Sequence, residues 1–241
     1  MRGFRFDAAA GRPPRVLAIG AHADDIEIGA GGTVIRLIEE YPDLEFKWVV
    51  LTSKGDRTAE ARRSAEAFLG PATGSVELPG FQDGFLPYSG REVKQFFETL
   101  KPFAPDLILT HARGDLHQDH RLACELTWNT FRDHLILEYE VPKYDGDLGS
   151  PNFYVPLPEG HVRRKIELLS KHFASQQVKH WYERETFLGL MRIRAMECHV
   201  TGHAEAFYCR KVVLAGCYDP PAMPRGAAES MHVDHPDLRA R

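Results

Sequence analysis

The chain predicts an α/β fold with a mainly parallel, twisted sheet flanked by helices and an irregular C-terminal half. Three observations carry that expectation. Short apolar runs alternate with amphipathic stretches through the first half, the pattern of βαβ units with right-handed crossovers. Two of these runs end in turns bearing His and Asp, and open α/β sheets bind ligands outside the carboxyl ends of their strands. The composition is 43% hydrophobic and 27% charged over 241 residues, which suits a globular chain with one large core.

Arg15–Gly20 reads as the first strand, and Asp25–Glu40 as a helix with Ile28, Ile35 and Ile38 on its apolar face. Phe46–Thr52 is a second strand, and Ala59–Leu69 a helix stopped by Gly70. Val76–Leu78 reads as a short strand before the turn Gln82-Asp83-Gly84. Glu92–Leu100 is helical and leads through Lys101-Pro102 to a strand at Asp106–Thr110. The helix after His117 turns Ala123, Leu126, Thr127 and Phe131 inward. Tyr139–Pro158, rich in proline and aromatic residues, reads as a long ordered loop. Helices follow at His161–Phe173 and Glu185–Cys198, then a strand at Tyr208–Ala215. The expected organisation is one domain over 1–241, with its core at about 15–218 and an extended tail over 219–241.

Several classes are disfavoured. A net charge of −4 lacks the basic surplus of a nucleic-acid binder. No apolar run reaches membrane-spanning length, and Met1–Asp7 has no signal-peptide core. Cys124, Cys198, Cys209 and Cys217 form no C-x-x-C pair, so reduced thiols and a cytoplasmic location are expected.

Catalytic zinc sites take three ligands from His, Asp, Glu and Cys and leave a position open for water. His22 and Asp25, three apart at a helix start, can face one side, and His120 can supply a third ligand from the second loop. Asp24 is then placed as the base. A lone His-x-x-Asp is often only a cap; two His/Asp motifs at successive strand ends are more specific. His232-Val233-Asp234-His235 repeats the H-x-D-H pattern in the tail without a flanking strand or helix, and reads as solvated. Gly29-Ala30-Gly31-Gly32 lets the first helix approach the sheet. It does not read as a dinucleotide loop, because Asp24 and Asp25 would repel phosphates. Arg57, Arg62 and Arg63 near the second strand's end are solvated helix charges or substrate anchors. Cys198-His199 reads as structural.

Ala21-His22-Ala23-Asp24-Asp25 resembles the A-H-P-D-D signature of the PIG-L/LmbE-like zinc N-deacetylases, and His117-Gln118-Asp119-His120 resembles their H-P-D-H. Gly80–Gly84, Lys101-Pro102 to Thr110, Lys165 to Gln176 and Ala204–Phe207 extend the resemblance over roughly 15 to 215. Ala23 and Gln118 replace the motif prolines, which affects loop stiffness rather than ligand chemistry. The resemblance implies a Rossmann-like fold and hydrolysis of N-acetyl groups on glucosamine-type sugars. It implies one Zn²⁺ on His22, Asp25 and His120, with Asp24 as general base. His117 would face the oxyanion, and Asp119 would orient a histidine. Arg57, Arg62, Asp83 and Glu205 are the expected substrate-binding residues. The partner implied is a small amino-sugar substrate, and relatives form homotrimers or hexamers. Two alternatives stay open: a metal-dependent phosphoesterase, and a non-catalytic sugar- or nucleotide-binding protein.

Overall fold

Strand β1 (Arg15–His22) is buried from Val16 to Ala21 and is an interior strand of the sheet in the computed structural model, which describes residue 3 and residues 11–213. Its alternate residues serve two cores. Val16 and Ala18 face one, and Leu17, Ile19 and Ala21 the other. A strand covered on both faces needs such a continuous apolar run.

Around β1 lie β2 (Glu45–Thr52), β3 (Thr73–Glu77), β4 (Leu107–His111), β5 (Leu135–Tyr139), β6 (Phe153–Leu157) and β7 (His203–Cys209), in the spatial order β3-β2-β1-β4-β5-β7-β6. Neighbours from β3 to β5 pair in parallel, while β7 is antiparallel to both β5 and β6. Helices α1 (Asp25–Glu40), α2 (Asp56–Leu69) and α5 (Glu159–His172) cover one face, and α3 (Gly90–Leu100) and α4 (Gln118–Thr130) the other. Helix α6 (Arg184–Glu197) packs on β7.

Helix α1 lies close to the sheet because glycine permits it. A Cβ on Gly29 would be 2.3 Å from Cδ2 of Tyr139, and one on Gly32 would be 2.4 Å from Cδ1 of Leu157. Glu205 of β7 secures the same contact. It accepts the N–H groups of Gly32 (2.8 Å) and Thr33 (2.7 Å) and the ammonium of Lys165 (2.7 Å), with all of them buried.

The second half corrects the sequence reading in three places. Leu135–Tyr139 is a strand that periodicity did not reveal. Phe153–Leu157 is a strand inside the stretch read as a loop. The last strand begins at His203, not Tyr208. One compact unit spans Met1–Lys211, and a second begins at Val212. Cys217, His232, His235 and the expected tail over 219–241 lie outside the described residues. No helix of the described residues is long and apolar enough to cross a membrane.

Candidate metal and active site

Strand order reverses direction at β1, with β2 on one side and β4 on the other, which makes the β1/β4 boundary the topological switch point. The two strands pair from Val16–Leu107 to Ala18–Leu109, and there the ladder ends. Beyond it, the Ala21 N–H donates to Nε2 of His111 (2.9 Å). An imidazole stands in for a backbone acceptor, and the side chains that follow enter the crevice.

Three donor atoms converge there. Nδ1 of His22 lies 3.1 Å from Nε2 of His120 and 3.3 Å from Oδ2 of Asp25; the third edge, His120 to Asp25, is 3.4 Å. Ligands on a tetrahedral ion with bonds of about 2.0–2.1 Å stand about 3.3–3.4 Å apart, so the triangle has the size of one face of such a site. The outward nitrogens are held by carboxylates. His120 Nδ1 donates to Asp115 (2.8 Å), and His22 Nε2 faces Asp83 (3.2 Å) and Asp119 (3.3 Å). Such partners set the tautomer that turns a lone pair inward.

Charge agrees with this donor set. Burial and the neighbouring His111 lower the His120 pKa to about 4, leaving a neutral imidazole. Burial would raise Asp25, but His120, His111 and His22 hold it well below the usual carboxylate range. Burial also disfavours a charged His22, yet Asp25, Asp119 and Asp83 raise it well above its ordinary value. The carboxylates thus favour positive charge on His22, while His120 beside it is held neutral. Among the described residues, His22–His117–His120, Asp25–His111–His120 and His22–Asp83–Asp119 also bring ligand atoms together. His111 Nε2 spends its single lone pair on the Ala21 N–H, whereas Asp25 Oδ2, which accepts the His22 N–H (2.7 Å), keeps a second one; Asp119 accepts the N–H groups of Gly84 (2.7 Å) and Leu86 (3.1 Å).

Asp24 precedes α1 with φ 110, a conformation that strains a non-glycine residue. Arg57 braces this turn by donating to the Ala23 carbonyl and to Asp24 Oδ1 (3.3 Å). Burial pushes the Asp24 carboxyl up to about 7, with Arg57 pulling the other way. His117 caps α4, its Nδ1 accepting the Asp119 N–H (3.2 Å). Burial and His22 lower its pKa, and in the neutral ring Nε2 then carries the hydrogen. Capping and hydrogen-bond donation therefore use different nitrogens.

A cavity of ≈290 Å³ opens on this cluster, lined by His22, Asp24, Asp25, His117 and His120 together with Arg57, Asp83, Val141, Lys143–Asp145, Gln176, Lys179 and Trp181. Two expected residues are elsewhere. Arg62 is exposed on α2 outside this lining, and Glu205 is buried under α1. Sequence reasoning missed His111 and Asp115. Asp115, five residues before His120 in the same loop, was open to the spacing argument used for His22 and Asp25. Nothing in the sequence marks Lys143 or Trp181.

Fold and site together define an α/β protein with a His/Asp donor cluster at its switch point. Residues 17–131, from β1 through α4, match the family model described as PIG-L: GlcNAc-PI de-N-acetylase, so the PIG-L/LmbE-like resemblance holds over the stretch that contains the donor triangle. The fold is shared with solved structures. A conserved protein from Thermus thermophilus is 20% identical with TM-score 0.67, over 86% of this chain and 99% of that one. N,N'-diacetylchitobiose deacetylase from Pyrococcus horikoshii is 19% identical with TM-score 0.59, over 80% and 82%. GalB, the 4-carboxy-2-hydroxymuconate hydratase from Pseudomonas putida, is 17% identical with TM-score 0.66, over 86% and 100%. One fold thus carries proteins named for different reactions, and the site residues must choose between them.

Proposed function

We propose that this protein is a zinc-dependent hydrolase that removes an N-acetyl, or other N-acyl, group from an amino-sugar derivative. The observation that carries this reading is the triangle of His22, Asp25 and His120 with Asp24 beside it on the cavity wall. The match to a de-N-acetylase family model over the same residues supports it.

His22, Asp25 and His120 would hold one Zn²⁺ per chain. When bound, such an ion polarises the amide carbonyl and acidifies a water to a pKa of about 7. Asp24 takes the proton of the attacking water, with Arg57 holding its carboxylate in place. His117 donates through Nε2–H to the oxygen that gains charge as the carbonyl carbon becomes tetrahedral. The C–N bond then breaks, the nitrogen leaving as the free amine with the proton that Asp24 took from the water, and the acid is released. Asp119 orients His22 from behind, and Arg57 and Asp83 stand at the cavity where sugar hydroxyls would enter. Val141 and Lys143–Asp145 also line the cavity and are the place for selection of the sugar and its aglycone.

The test is release of free amine from a panel of N-acetylglucosamine conjugates before chelation, after it, and after zinc is restored. Loss and recovery of amine release, with one zinc per chain, is expected. His120→Ala should lose metal and turnover together, and full metal occupancy in that variant would refute the ligand assignment. Two metals per chain with phosphate-ester cleavage would favour the phosphoesterase alternative. Sugar binding without turnover would favour the binding-protein alternative.

A further inference from the structure

The loop between β5 and β6 reaches the donor cluster through one side chain that the proposed chemistry leaves unused. Lys143 is only 9% exposed, and its ammonium lies 3.0 Å from Asp115 Oδ2 and 2.5 Å from Asp147 Oδ2. Each of these carboxylates also grips the 115–120 segment. Asp147 Oδ2 accepts the Leu116 N–H (2.7 Å). Asp115 accepts the His117 N–H on Oδ1 (2.8 Å) and His120 Nδ1–H on Oδ2 (2.8 Å). The imidazole of His120 and the ammonium of Lys143 therefore meet on the same oxygen.

A carboxylate with one imidazole partner can rotate about its side-chain bonds. With the His117 N–H on one oxygen and the Lys143 amine on the other, Asp115 is held in one orientation. Burying an ammonium costs desolvation, and an apolar side chain would pack such a loop more cheaply. What the lysine adds is a charge beside Asp115. It also lines the cavity, so the wall that faces substrate is tied to the group behind His120.

We propose that Lys143 is a positioning residue: it fixes Asp115 as the acceptor of His120 Nδ1–H, so that His120 presents an unprotonated Nε2 to the metal. This rests on the zinc reading above.

The experiment titrates zinc alone into metal-stripped full-length protein against a chromophoric chelator, with thermal melting in parallel. Lys143→Met should bind zinc about 10–100-fold more weakly, the usual cost of losing a partner behind a metal ligand, and Lys143→Arg should restore most of the affinity. In a double-mutant cycle, Lys143→Met should add little to Asp115→Asn, because its target is already gone. A folded Lys143→Met with wild-type zinc affinity overturns the role, as does a loss fully additive with Asp115→Asn. If the methionine variant does not fold, Asp147→Ala removes the outer anchor of the ammonium and should weaken zinc in the same direction; unchanged affinity there overturns the proposal. Absence of zinc binding in the wild type would overturn the parent reading and this one with it, whereas the other outcomes bear on Lys143 alone.

Discussion

Lys165 is buried and Lys143 largely so, and both end on carboxylates, 2.7 Å from Glu205 and 3.0 Å from Asp115. Everything around Lys165 turns inward. Its ammonium also donates to the Ile28 carbonyl (2.5 Å), and Glu205 is filled by N–H groups of α1. Everything around Lys143 leads to the crevice, through Asp115 to His120 and through Asp147 to Leu116. The same pair chemistry serves the fold in one place and the site in the other. What differs is whether the carboxylate's remaining partners are backbone groups buried under α1 or the 116–120 segment at the cavity.

The comparison can be broken at either end. The largest effect is expected at the site: Asp24→Asn should keep its metal and lose about 10²–10⁴-fold in kcat, the usual span for a general base. Near-normal kcat with bound zinc would remove Asp24 from the mechanism. Lys165→Met should cost stability instead, about 3–5 kcal/mol, because Glu205 is left buried and unpaired. For a domain of this size that lowers Tm by about 6–20 °C, while the folded fraction keeps wild-type zinc affinity and kcat. A fall in kcat without a fall in Tm would move this pair into the site. His117→Ala tests both roles of one residue, with kcat falling about 10²–10³-fold and stability by about 0.5–2 kcal/mol for the lost cap. Steady-state kinetics beside a melting curve separates them, and a destabilised variant with normal kcat would leave only the cap. Arg62→Ala should change neither stability beyond about 0.5 kcal/mol nor kcat/KM; a clear loss of kcat/KM would return it to the substrate site.

β1, β2 and β4 were legible because they are covered on both faces and read as apolar runs, as at Leu107–Leu109, whereas β5, also parallel, was missed because Glu138, paired with the distant Arg210, interrupts its run. The antiparallel half hid for particular reasons. β6 contains Pro156, which argues against a strand in mid-sheet but is tolerated at the edge where β6 lies. β7 opens on His203-Ala204-Glu205, and the charge of Glu205 disguised a buried position, because its partner Lys165 is forty residues away. The same limit applied at the site. His22, Asp24, Asp25, His117, Asp119 and His120 announce themselves by local spacing next to strand ends. Lys143 and the cavity wall at Gln176, Lys179 and Trp181 have no local pattern; tertiary folding brings them there.

The parting of β1 and β4 at the switch point also sets an order in time. During synthesis His22 and Asp25 emerge long before His120, Lys143 later still, and the wall at Trp181 near the end. Parallel strands so far apart in sequence meet only after a long loop has closed, and such contacts form slowly. The crevice is therefore among the last features to be completed. A cation held by the proposed ligands would act as a latch on a nearly finished fold, unlike the ion of a short-spaced zinc finger, whose ligands can gather around it first.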